Sequence, residues 1–247
     1  MRFRRSIPNF VTMLNLFCGS VAVLFAVNGN MIMTAIFVFL GIFFDFFDGF
    51  LARKLNVQSE LGIQLDSLAD MVTSGVVPGI VMFYLLGIST NSGWESSYLC
   101  QAFHIDGTNY LPFIGLMVIL ASAYRLARFN LDEDQQEYFK GLPVPANTLL
   151  IISLPLIMEY QDNDLMNSII LNKWFLIGLT LLSCYLLNSN IKLFALKFKT
   201  WGFKENSTRY IFIVLGIVTL IVLKFAAIPL IIAIYIIMSL LNSLTVK

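Results

Sequence analysis

The chain has 247 residues, 58% of them hydrophobic and only 13% charged, with a mean hydropathy of +0.80 and a formal net charge of +1. An average soluble domain is roughly 45–50% apolar and about 25% charged, so this composition excludes an ordinary soluble domain and predicts an all-α, polytopic membrane protein. The net charge by itself says little about partners, and nucleic acid is a poor fit because no basic folded domain accompanies the lysines; three scattered cysteines, Cys18, Cys100 and Cys184, exclude a disulfide framework or a thiolate metal site.

A helix needs about 20 apolar residues to cross a bilayer. Runs of that kind fall at 8–27, 31–53, 63–88, 111–130, 144–160, 173–191, 208–224 and 226–243, which predicts eight spans in one bundle and a single domain over 1–247. The first run continues past the length of a signal-peptide core, so it is expected to remain as a span. It opens with PNFVTMLN, where Asn9, Thr12 and Asn15 stand at i, i+3 and i+6. Such groups either cap the helix and bond to neighbouring helices or meet a polar ligand.

The second and third runs carry the unusual chemistry. A carboxylate at the bilayer centre costs roughly 2.5–3.5 kcal/mol on insertion scales, yet Asp45, Asp48, Asp66 and Asp70 fall inside or beside this hairpin. Asp45 and Asp48 are three apart and share a helix face; Gly62, Asp66 and Asp70 form a second stripe at spacing four. The connection KLNVQSEL is short, so the two helices are expected to be antiparallel neighbours. Four converging carboxylates repel one another unless hard divalent cations such as Mg²⁺, Mn²⁺ or Ca²⁺ lie between them. Gly49 and Gly62 either open space for a ligand or pack helices closely, and Ala52 keeps the Asp48 face uncrowded. Arg53 ends the span either as a snorkelling cation or as a phosphate contact.

After the third run comes a long polar connection, STNSGWESSYLCQAFHIDGTNY, with no Lys or Arg; its His104 has no partner ligands. The fourth span ends in AYRLARFN, placing Arg125 and Arg128 on one face, where guanidinium groups suit forked contact with carboxylate or phosphate or simply set topology. In FKGLPVPA, Lys140 precedes a loop made rigid by Gly141, Pro143 and Pro145. The lysines of IKLFALKFKTWGFK alternate with apolar residues, as in an interfacial stretch facing anionic lipids. With the N-terminus inside, 14 of the 16 basic residues fall on the cytoplasmic side, leaving Lys173 and Lys224. The positive-inside rule then puts both termini and the aspartate hairpin at the cytoplasmic face.

Written out, the hairpin reads Asp45-x2-Asp48-Gly49-x2-Ala52-Arg53-x8-Gly62-x3-Asp66-x3-Asp70. This resembles the signature of the CDP-alcohol phosphatidyltransferase family at every fixed position. IPNFVTMLN is similar to the family's first-span nucleotide segment, and AYRLARFN and FKGLPVPA resemble its membrane-integral phosphatidylserine synthase branch. The resemblance covers most of the first 146 residues. It implies an all-helical membrane enzyme, commonly a homodimer, that joins CDP-diacylglycerol to L-serine, releasing CMP and phosphatidylserine at a two-metal site open to the cytoplasm. It further implies that Asp45, Asp48 and Asp66 are metal ligands for Mg²⁺ or Mn²⁺, with Ca²⁺ as another occupant, and that Asp70 is both a ligand and the general base. Asn9, Thr12, Asn15, Gly49, Ala52, Arg53 and Gly62 would hold the nucleotide and lipid phosphates, and Arg125, Arg128 and Lys140 the acceptor. A rival within the family takes glycerol 3-phosphate or inositol phosphate, which would need more cations near the metals. A cation transporter is a rival from another class, but such proteins tend to show repeats and broken midplane helices, and none is visible in this chain.

Overall fold

The computed structural model describes residues 2–90, 110–131, 138–161, 163–194 and 203–245. The polar connection with Cys100 and His104, most of the lysine-rich stretch 191–204, and Lys247 lie outside them. Among the described residues ten α-helices dominate: α1 (Arg2–Val27), α2 (Met31–Lys54), α3 (Glu60–Asp70), α4 (Val77–Thr90), α5 (Met117–Leu131), α6 (Val144–Gln161), α7 (Asp164–Ile170), α8 (Lys173–Asn188), α9 (Phe203–Leu223) and α10 (Ala227–Thr245). Two three-residue strands, β1 (Tyr138–Lys140) and β2 (Lys192–Phe194), pair antiparallel with Phe139 opposite Leu193. The all-α expectation therefore stands.

Local chemistry sets the first hairpins. Asn28–Asn30 turn the chain between α1 and α2, with Gly29 at φ 72°, and the Asn30 side chain accepts from Met33 N at 3.0 Å as an N-cap. α2 ends in Arg53 and Lys54, followed by Asn56 at φ 51°. Ser59 then caps α3, its hydroxyl accepting from Gly62 N at 3.1 Å. α3 continues through a π-helical turn, Met71–Val76, into α4, giving one helical stretch from Glu60 to Thr90.

α4 lies at the centre. Val77, Val81, Met82, Leu85 and Leu86 are at most 1% exposed and pack with Val38, Val118, Ile151, Ile152 and Leu176. α6 is buried almost all round, as its lack of a polar face requires. On α1 and α2 the apolar side chains point outward instead, including Phe10, Phe17, Phe39, Phe43 and Phe46. An apolar exterior of this extent belongs in lipid, and the chain is an integral membrane protein. Cys18 is buried, Cys184 half-buried, and both are free thiols.

Among the described residues, five helical stretches are long and apolar enough to cross a membrane, or six when the bent pair α7–α8 is taken as one span, against the eight expected. The difference lies in the second half. α6 has 18 residues with polar groups near both ends, and α7 is an additional short helix bent 60° from α8. Tyr210–Leu241 is helical and apolar throughout, yet it is not one rod. Phe212 and Tyr235 have ring centroids 5.6 Å apart, whereas a straight helix would separate them by about 35 Å. The chain reverses at Lys224, φ 50°, within the 3₁₀ turn Lys224–Ala226, so α9 and α10 form an antiparallel pair.

Candidate active site and metal centre

The α2–α3 hairpin brings three of its four aspartates together. Asp45, Asp48 and Asp66 each offer a carboxylate oxygen, and the three oxygens lie within 4.8 Å of one another. Asp70 stands one turn beyond Asp66 and faces Asp45 across the hairpin. The charges acting on Asp45, Asp66 and Asp70 are those of the neighbouring aspartates; among the described residues no lysine or arginine neutralises them. Asp48 is 5% exposed, and its Oδ2 is buried without a hydrogen-bond partner. A buried, unpartnered carboxylate oxygen beside two more carboxylates is the donor set a hard divalent cation requires. The residues present therefore fit a metal.

Beside this cluster opens a cavity of about 310 Å³, within the size range of small-molecule sites. α1 contributes Pro8, Asn9 and Thr12; α2 contributes Asp48, Gly49, Ala52 and Arg53; α3 and its cap contribute Ser59, Gly62 and Asp66. Six of the seven residues expected to hold nucleotide and lipid phosphates thus line one space. The two glycines differ. A Cβ on Gly49 would meet only Arg53 Nη2, at 3.9 Å, so this glycine faces open space rather than a packed helix. A Cβ on Gly62 would sit 3.2 Å from both Asn9 Oδ1 and Ser59 Oγ. Ser59 had not been anticipated, although a serine before Glu60 and an apolar run is a helix-start signal.

Asn15, the seventh, is placed elsewhere. It is 0% exposed, does not line the cavity, and directs Nδ2 to Asp70 Oδ1 at 3.3 Å. Its other neighbour is Thr73, whose hydroxyl donates to Asn15 Oδ1 at 2.8 Å.

The basic residues of α5 also separate. Arg125 is 8% exposed and its Nη1 donates to the carbonyls of Lys140 at 2.7 Å and Leu187 at 2.9 Å, while Nη2 reaches Gly141 O at 3.3 Å. Gly141, at φ 74°, lies so close to the carbonyls of Leu186, Leu187 and Ser189 that no side chain fits there. Both Nη1 hydrogens are thereby used. The expectation that Arg125 forks onto the acceptor is corrected to that of a staple between α5, the strand turn and the end of α8. Arg128 is exposed, with Nη2 donating to Asn190 Oδ1 at 2.8 Å. It lines a small cleft together with Arg125, Phe129, Lys140 and Ser189. This cleft is tied to the carboxylates through Ser67, next to Asp66, whose hydroxyl donates to Asn130 Oδ1 at 3.2 Å and accepts from Asn130 Nδ2 at 2.9 Å.

A bundle of apolar helices holding a carboxylate cluster beside a ligand-sized cavity defines a membrane-embedded, metal-fitted enzyme site. Residues 5–185 match the CDP-alcohol phosphatidyltransferase family, and the chain belongs to it. Among its relatives, the CDP-diacylglycerol–serine O-phosphatidyltransferase of Bacillus subtilis is 34% identical over 152 residues, 60% of this chain and 74% of that protein. Proteins of the same name from Methanocaldococcus jannaschii and Helicobacter pylori are 32% identical over 178 residues (72% and 71%) and 30% identical over 199 residues (80% and 75%).

Proposed function

We propose that this protein transfers the phosphatidyl group of CDP-diacylglycerol to the hydroxyl of L-serine, giving phosphatidylserine and CMP. Family membership and the names of the three relatives support the reaction. The observation that carries it is the trio of carboxylate oxygens within 4.8 Å beside the cavity.

In this reading the whole chain, 1–247, is one catalytic membrane domain, working as a homodimer with both termini and the site on the cytoplasmic side. Asp45, Asp48 and Asp66 would hold Mg²⁺ or Mn²⁺, and Asp70 would contribute to a second ion. Divalent ions at such a site supply charge stabilisation for the pyrophosphate and the departing CMP. Asn9 and Thr12 contact the nucleotide; Gly49, Ala52 and Gly62 leave room for the phosphates, and Arg53 pairs with one of them. The serine hydroxyl attacks the phosphorus bonded to diacylglycerol. That O–P bond forms as the P–O bond to CMP breaks, and Asp70 takes the hydroxyl proton, an effect worth about 10²–10⁴-fold. Arg128 and the Lys140 ammonium attract the serine carboxylate, while Arg125 keeps their loop in place.

The test is CMP release by the purified protein from CDP-diacylglycerol and, in separate reactions, L-serine, glycerol 3-phosphate or inositol phosphate, with and without chelator. Serine-dependent, chelator-sensitive release is expected, and Asp70→Asn abolishes it while substrate binding survives. Release that depends on a phosphorylated acceptor instead would overturn the serine assignment.

A further inference from the structure

The geometry points to Thr73 and Asn15 as positioning residues for Asp70, a chain that rests on the reading of Asp70 as the base. Asn15 on α1 and Thr73 in the π-helical turn are both 0% exposed. Thr73 Oγ1 donates to Asn15 Oδ1 at 2.8 Å, and Asn15 Nδ2 donates to Asp70 Oδ1 at 3.3 Å. An ionised carboxylate only accepts, so it must face the amide nitrogen; the amide oxygen is then left for a donor, and a threonine hydroxyl is one. The two bonds agree on one orientation of the amide.

Most other described threonines behave differently. Thr12, Thr34, Thr90, Thr180 and Thr219 donate to the carbonyl four residues earlier in their own helix, the usual habit of a helical threonine, and Thr148 makes that bond as well as one to Ser74 O at 2.8 Å. Thr73 points its hydroxyl across to α1 instead. The π-helical turn that begins directly after Asp70 provides the local widening, a feature that recurs at functional sites. The node is also enclosed. A Cβ on Gly19 would collide with Thr73 Oγ1, and one on Gly41 would lie 2.6 Å from Thr73 Cγ2 and 3.0 Å from Asn15 Oδ1. Three helices therefore confine Asn15 and Thr73 to this arrangement, in which the amide holds Asp70 Oδ1 and fixes the orientation of its carboxylate.

Thr73→Val keeps the shape and removes only the donor. The amide is then free to turn its oxygen towards the carboxylate. The expected result is a kcat for serine-dependent CMP release reduced about ten- to hundredfold, with KM for CDP-diacylglycerol and the melting temperature in detergent near wild type. Thr73→Ser restores kcat to within about threefold of wild type, because the hydroxyl returns. Asn15→Leu, which removes the amide, reproduces the kcat loss of Thr73→Val without adding to it in the double variant. If Thr73→Val keeps wild-type kcat while Asp70→Asn is inactive, the positioning chain is refuted and the base survives. If Asp70→Asn is itself active, the base reading fails first. A Thr73→Val defect that appears in the melting temperature and that Thr73→Ser does not rescue would make the contact structural and overturn the proposal.

Discussion

Replacing Gly49 with alanine separates the needs of the fold from those of the site. Gly49 lies inside α2, where glycine costs about 1 kcal/mol relative to alanine. The added methyl would meet nothing nearer than Arg53 Nη2 at 3.9 Å, so no packing strain offsets that gain. Gly49→Ala should therefore stabilise the protein by about 0.5–1 kcal/mol, a rise in melting temperature of about 1–4 °C for a chain of this size. The same methyl projects into the 310 Å³ cavity beside Asp48, where the lipid phosphates are proposed to approach the backbone. Displacing a reacting group by about 1 Å can cost about 10²-fold, and a loss of at least about tenfold in kcat/KM, or 1.4 kcal/mol, is expected. Thermal melts in detergent and serine-dependent CMP release read the two effects on one sample. Wild-type kcat/KM in Gly49→Ala would refute close approach of substrate to this backbone, and a lowered melting temperature would refute the reading of open space.

Gly62→Ala should behave differently. Its Cβ would press on Asn9 Oδ1 and on the Ser59 cap at 3.2 Å, so both stability and activity fall, by about 1 kcal/mol in the melt if the cap is lost. Asp48→Asn should weaken Mn²⁺ binding by more than about tenfold in calorimetry. With chelator present it should melt no lower than wild type, since the charge of a buried carboxylate whose Oδ2 has no partner has been removed; a large loss of apo stability would contradict this. Adding Mn²⁺ at about 100 times its Kd should stabilise the wild type by about 2.7 kcal/mol, read as a rise in melting temperature. Arg125→Met removes three bonds to carbonyls and should cost about 3 kcal/mol or more, with KM for serine changed little. Arg128→Ala should raise that KM about tenfold and leave the melt unmoved; the reverse pattern would return Arg125 to the acceptor.

The aspartate hairpin was legible because its information is local. Spacings of three and four put carboxylates on one helix face whatever else the chain does, and a short connection forces the two faces together. The partners of Asn15 and Arg125 were not legible, for a complementary reason. Their residue types suit a ligand equally well, and the partners they take instead are Asp70 and Thr73, 55 and 58 residues away, or backbone carbonyls 15 to 62 residues away. Spacing along one helix carries no record of such partners. The span count differed at α6 and at the 60° bend between α7 and α8, which hydropathy does not register, whereas the reversal at Lys224 was legible as the break between two apolar runs.

Composition and periodicity by themselves determined a helical membrane protein with an acidic hairpin, because lipid leaves the backbone no alternative to internal hydrogen bonding and helix geometry fixes which side chains align. Only the packing of α1 against the hairpin and the π-helical turn decided which polar groups face the cavity and which are spent on orienting Asp70. That choice depends on distances between segments far apart in the chain, and these exist only once the helices have met.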